Sequence, residues 1–173
     1  MASGDGSVWA SPDEREAALW VDQHHIWHPF TQMEEWASEA PLVVVRGNGQ
    51  YLYDDADRPY LDLVSSLWAT LHGHNHPVMN AAIERQLHRV AHSTFLGATH
   101  DVGIKFVQDL LGVLDPKLDR VFFSDNGSTA VEVALKQSFQ YWQLKGETKK
   151  TRFIRMEGAY HGDTLGAVGV GGR

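Results

Sequence analysis

A chain of 173 residues with 43% hydrophobic content and six tryptophans is long enough for a sizeable core and too apolar to be disordered. A formal net charge of −7 argues against non-specific nucleic-acid binding and against anionic membrane surfaces. The absence of cysteine excludes a disulfide framework and a thiolate metal site, and no apolar run approaches the ~20 residues of a membrane span.

In chain order, residues 1–12 are small and polar and read as a flexible tail. A helix is expected from Asp13 to Val21, with Asp13 and Glu14 in its first turn. His24 to Met33 is dense in aromatics, and Pro29 makes it an extended segment. Leu42 to Tyr53 reads as a β-hairpin turning at Gly47-Asn48-Gly49, with Tyr60 to Val64 as a third strand. The loop Ser65 to Pro77 is too small and polar for a core element, yet carries Trp68 and three histidines. His72, His74 and His76 alternate as metal ligands on a strand would, but Gly73 and Pro77 weaken the strand and no acidic residue obviously completes the set. Hydrogen bonding or packing within the loop is the plainer reading. Helices follow, one after Pro77 with Met79, Ile83, Leu87 and Val90 as its apolar stripe, one from Asp101 to Leu114.

Val121 to Phe123 then reads as a short buried strand, Asp125-Asn126-Gly127 as a turn, and Val131, Ala134, Leu135 and Trp142 as one face of a helix. Free N–H groups and the positive dipole end at Gly127-Ser128-Thr129 suit a phosphate. The alternative is that Ser128 or Thr129 simply caps the helix. The run Lys149 to Arg152 is a solvated loop, and Phe153 to Met156 another strand, so the order implies a parallel βαβ unit. Ligands in such sheets sit beyond the carboxyl ends of strands, where Ser124–Thr129 and Gly158–Thr164 both fall. Tyr160 and His161, flanked by glycines, form either an aromatic platform for a flat ligand or an ordinary turn with a Tyr over the core. A phosphate cradle and an aromatic platform on neighbouring strand ends together suggest a planar phosphorylated cofactor such as pyridoxal phosphate.

Four phrases carry a resemblance: Trp27-His28-Pro29-Phe30-Thr31-Gln32-Met33, Ser65 to Pro77, Phe123 to Glu132, and Tyr160-His161-Gly162-Asp163-Thr164. The chain closely resembles the class III (ω-type) pyridoxal-phosphate aminotransferases from about Trp20 onward, and the first two phrases resemble those of biotin synthesis. The resemblance implies an α/β fold, the N-terminal part of a fold-type-I transferase. Residues 13–73 would begin a small domain and residues 74–173 the mainly parallel large domain. It implies that Gly127 and Ser128 bind the cofactor phosphate and that Tyr160 stacks on the pyridine ring and lines the substrate site. Trp68 and Phe30 would border the substrate, 7-keto-8-aminopelargonate, which becomes 7,8-diaminopelargonate. Phe30 stands where the best-known pattern has Tyr, and Leu67 where it has Trp, which leaves the amino donor open between S-adenosylmethionine and lysine. A cytoplasmic homodimer is implied. None of Lys105, Lys117, Lys136, Lys145, Lys149 and Lys150 matches the lysine that carries the cofactor, so no catalytic residue is assigned. This makes the chain an N-terminal portion, inactive alone. Another ω-aminotransferase, or an inert truncated binding or dimerisation module, would share most of these motifs.

Overall fold

A computed structural model describes residues 8–172, and they fall into two compact units, Met1–Ser93 and Thr94–Arg173. Residues 1–7 of the expected tail lie outside the described residues.

In the first unit α1 spans Pro12–His25, four residues beyond the expected end at Val21. The Ser11 side chain accepts a hydrogen bond from the Glu14 N–H at 3.2 Å, Pro12 opens the helix, and acidic residues follow in the first turn. Trp9 Nε1 donates to Asp55 at 3.0 Å and Arg15 Nε to the same carboxylate at 2.5 Å, so the start of α1 is tied to the turn after the second strand. Of His24–Met33, expected to be extended, His24 and His25 belong to α1 and Met33 opens a short helix, α2 (Met33–Trp36), while residues 26–32 lie in no helix or strand. Asp22 links the two helices: its carboxylate meets His28 Nε2 at 3.1 Å and accepts from Trp36 Nε1 at 2.9 Å, folding the segment back on α1.

The sheet comprises β1 (Val44–Asn48), β2 (Tyr51–Asp54) and β3 (Pro59–Leu61), antiparallel in that order. Asn48 pairs with Tyr51, so the hairpin turns at Gly49-Gln50, later than the Gly47-Asn48-Gly49 expected. Gly49 has a φ of +56°, which the first position of a tight hairpin loop requires. Gly47 stays in the strand because a Cβ there would come within 2.6 Å of His74 Cβ. Asp54, only 1% exposed, accepts from the N–H groups of Ala56 and Arg58, from Arg58 Nε and from the Tyr60 hydroxyl. This buried carboxylate closes the β2–β3 turn with every partner local in sequence.

Ser65–Trp68, expected as loop, is a single helical turn, α3, of left-handed sense. Ser65, Ser66, Leu67 and Trp68 have φ of 50°, 47°, 61° and 70°. Left-handed backbone costs an L-residue about 1–2 kcal/mol each, so such a run persists only where neighbouring contacts impose it. α4 follows at Pro77–Leu87, starting where expected but ending before Val90, the last residue of the expected stripe.

In the second unit α5 spans Asp101–Leu111, stopping at Gly112 before the expected Leu114. His100 Nδ1 accepts from the Gly103 N–H at 3.0 Å, so a histidine caps this helix. Phe123 stacks on Phe95 at 5.2 Å and lies 5.9 Å from Phe106. That ring cluster anchors the chain just before the phosphate turn. α6 spans Gly127–Leu144 and α7 Leu165–Gly169. Lys150, read as part of a solvated loop, stacks over Trp142 at 3.3 Å.

The strands expected at Val121–Phe123 and Phe153–Met156 form no ladder among the described residues, and the parallel βαβ pairing is absent there. Ile154 is fully exposed at 104% and Met156 at 82%. A parallel strand exists only through neighbours on its edges, and neither segment has a strand partner among the described residues.

Candidate functional site

The phosphate turn is built from its cap outward. The Asn126 side chain accepts from the Thr129 N–H at 2.9 Å, and Thr129 Oγ1 accepts from the Asn126 N–H at 3.1 Å. This reciprocal box makes Asn126 the cap, not Ser128 or Thr129 as the plainer sequence reading had it. It also consumes the Thr129 donor and leaves the N–H groups of Gly127 and Ser128 without acceptors among the described residues. Gly127 is exposed, and a Cβ there would meet nothing within 4 Å.

The Ser128 hydroxyl faces the segment after Tyr160. It accepts from the Thr164 N–H at 3.0 Å and lies 2.8 Å from Thr164 Oγ1. One turn along α6, Glu132 accepts from the Gly166 N–H at 2.6 Å and the Ala167 N–H at 3.3 Å. Glu132 thus caps α7, and its carboxyl is held below the usual value by the Thr164 hydroxyl and then by the Gly166 N–H, against opposing burial. Sequence reasoning missed this clamp, although the four-residue spacing of Ser128 and Glu132 places them on one helix face. Gly162 makes the approach possible: its φ is +116°, and a Cβ there would come within 2.4 Å of Ser128 Cβ.

The same segment carries Tyr160, 56% exposed, whose hydroxyl donates to Asp163 Oδ2 at 2.5 Å. The structure therefore brings Ser128 together with the Tyr160–Thr164 loop. Neither of the concavities along α5, lined by Val102 and Phe106, and along α6, lined by Phe139 and Gln143, includes these residues.

Phe30 and Trp68 belong to the first unit. Phe30 has a φ of +53° and is 86% exposed; Trp68 is 73% exposed on the left-handed turn. Bulky residues rarely accept such backbone, and both present their rings outward. The histidine trio does not converge: His74 Nε2 pairs with Asp62 Oδ2 at 2.8 Å, while the rings of His72 and His76 meet in a T-shaped arrangement with centroids 6.1 Å apart. No cluster of three or more potential metal ligands occurs among the described residues.

The class-III aminotransferase family model matches residues 32–173. The chain belongs to that family. It is 49% identical over 151 residues to the adenosylmethionine-8-amino-7-oxononanoate aminotransferase of Geobacter sulfurreducens, covering 87% of this chain and 33% of that protein. The Aquifex aeolicus protein of the same name is 45% identical over 160 residues, covering 92% of this chain and 35% of its own length. The crystal structure of the Methanocaldococcus jannaschii protein of that name superposes with a TM-score of 0.88 at 40% identity, covering 91% of this chain and 36% of that one. An amine transaminase from an uncultivated Pseudomonas species, in a pyridoxal-phosphate-bound form, superposes at 0.78 and 38% identity, covering 86% and 34%. This chain spans about a third of the length of the relatives it matches. Its fold is the N-terminal portion of a fold-type-I transaminase, a small antiparallel sheet with the first helices.

Proposed function

We propose that this chain is part of a pyridoxal-phosphate-dependent aminotransferase that converts 7-keto-8-aminopelargonate to 7,8-diaminopelargonate in biotin synthesis. The observation that carries the reading is the pair of unspent N–H donors at Gly127 and Ser128, opposite the loop bearing Tyr160. Two backbone donors, a hydroxyl and a positive dipole end fit a phosphate dianion, and an exposed ring on the adjoining loop fits a flat heterocycle.

The bound cofactor would take an amino group from a donor and deliver it to the keto substrate. Gly127 and Ser128 would fix its phosphate. Ser128 can donate its own proton to that phosphate when the Thr164 hydroxyl donates to Ser128. Tyr160 would lie against the ring, with Asp163 holding its hydroxyl in place. Trp68 and Phe30 would border the substrate chain. Residues 13–73 would belong to the small domain and 74–173 to the large one. The names of the relatives favour S-adenosylmethionine as donor; Phe30 and Leu67 keep lysine in contention. A cytoplasmic homodimer is what the family resemblance implies.

The experiment is turnover by a full-length subunit that carries this sequence, supplied with pyridoxal phosphate and each donor in turn. Formation of 7,8-diaminopelargonate is the expected result. Turnover confined to other amine and carbonyl pairs would replace this substrate with that of another ω-aminotransferase.

A further inference from the structure

The left-handed turn that carries Trp68 is closed by local backbone hydrogen bonds. Its hydrogen bonds, from Trp68 N–H to the Val64 carbonyl and from the N–H groups of Ala69 and Thr70 to the Ser65 carbonyl, are internal to residues 64–70. One side chain ties it to the sheet. Asp62 Oδ1 accepts from the Ser66 N–H at 2.9 Å, and Oδ2 accepts from the Ser66 hydroxyl at 2.8 Å. Oδ2 also takes His74 Nε2 at 2.8 Å, and the side chains of the pair are 5% and 13% exposed. Both residues are themselves fixed to the hairpin. The Asp62 N–H donates to the Gln50 carbonyl at 2.9 Å, and His74 exchanges backbone hydrogen bonds with Gly49 at 2.7 and 3.0 Å.

We infer that Asp62 is a positioning residue: its carboxylate holds the left-handed turn Ser65–Trp68 against the hairpin and so sets where the Trp68 ring stands at the wall of the keto-substrate site. The second half of this inference rests on the proposed place of Trp68 in that site. The Ser66 N–H holds the Asp62 carboxyl at about 2, with His74 adding to the effect, so the group is ionised and accepting throughout the neutral range. A carboxylate is required rather than a generic small polar residue. Only an acceptor with two oxygens can take the backbone N–H, the hydroxyl and the imidazole at once. His74 serves as the second anchor and no metal is needed to explain it.

The test uses the full-length cofactor-loaded subunit and the variants Asp62→Ala and Asp62→Asn, each also made with Trp68→Phe. Asp62→Ala should raise KM for the keto substrate about 10-fold or more, while cofactor loading and the donor half-reaction stay within about twofold. Asp62→Asn, which keeps one acceptor oxygen for the Ser66 N–H and loses the other, should recover only part of that loss. Tryptophan emission should shift with Asp62→Ala in the parent and not in the Trp68→Phe background, which isolates the Trp68 ring from the other tryptophans. Equal loss in both half-reactions together with lost cofactor would make Asp62 merely structural and overturn the inference. Unchanged Trp68 emission would overturn it as well. A shifted emission with unchanged KM would uphold the positioning and remove Trp68 from the substrate site.

Discussion

Ser128 does two jobs at once, accepting from the Thr164 N–H and standing beside two unspent backbone donors. Replacing it with alanine should weaken cofactor binding by about 1–3 kcal/mol, the usual loss for a hydrogen bond to a charged group. Titration of the apo-subunit by cofactor absorbance measures this, and an unchanged dissociation constant would leave Ser128 as a loop clamp alone. Gly162→Ala should act on the same site from the other side. The added methyl meets Ser128 at 2.4 Å, and a φ of +116° suits only glycine, so loss of cofactor affinity together with a lower Tm is expected. The helix start at Gly127-Ser128 was legible because turn and helix signals bracket it. The Glu132 clamp was not, since its partners lie 34 and 35 residues away and nothing local marks them. The donor also belongs to this scale. Phe30 offers no hydroxyl and Leu67 a smaller wall, and on these two residues lysine stands as an alternative donor to S-adenosylmethionine. Watching the cofactor absorbance as each amine is added decides it, and rapid change with S-adenosylmethionine alone would refute this.

At the level of elements, the helices were readable from caps and periodicity, with errors where a tertiary partner overrode them. α1 runs on past Val21, and the segment after it folds back at Asp22, whose partners His28 and Trp36 are distant enough to escape a local reading. The left-handed turn at Ser65–Trp68 was invisible because no residue in it prefers that backbone; Asp62 imposes it. The two expected parallel strands failed for a different reason. Alternation and β-propensity describe a segment that could pair, not the partner it needs. The sheet itself makes a pH prediction. For Asp54, burial alone would raise the carboxyl, yet hydrogen bonds from Arg58, Tyr60 and Ala56 outweigh it and hold the group at about 2, as for Asp62. Both values are depressed in the folded state, so their stabilisation is complete above the unfolded value near 3.8 and is lost as pH falls towards 2. Thermal melts between about pH 4 and pH 2 should show Tm falling, with a shallower slope for Asp54→Asn. A slope shared equally by parent and variant would contradict the assignment.

Among the described residues, apolar surface is widely exposed. Phe122, Ile154, Met156 and Leu165 stand among the exposed apolar residues, and Ala167 is the buried hydrophobic one among the described residues. Such an apolar surface associates in water, so the 173-residue chain on its own should sediment as oligomers or aggregates and bind a hydrophobic dye. A monodisperse, dye-negative monomer would contradict that expectation. The chemistry points the same way. Lys136 sits on an exposed position of α6 past its first two turns, and no lysine falls within the turn at Asn126–Thr129. On the proposed function, this chain would supply the phosphate cradle and substrate walls of a diaminopelargonate-forming aminotransferase, and the lysine that carries the cofactor would lie outside these 173 residues. Borohydride reduction after adding pyridoxal phosphate, followed by peptide mass spectrometry, tests it in the isolated chain and in a full-length subunit carrying the sequence. The account predicts no specifically modified lysine among these 173 residues in either sample, with the full-length subunit labelled elsewhere and active on 7-keto-8-aminopelargonate. A single reduced cofactor on one lysine of this chain, with turnover by the chain alone, would contradict it.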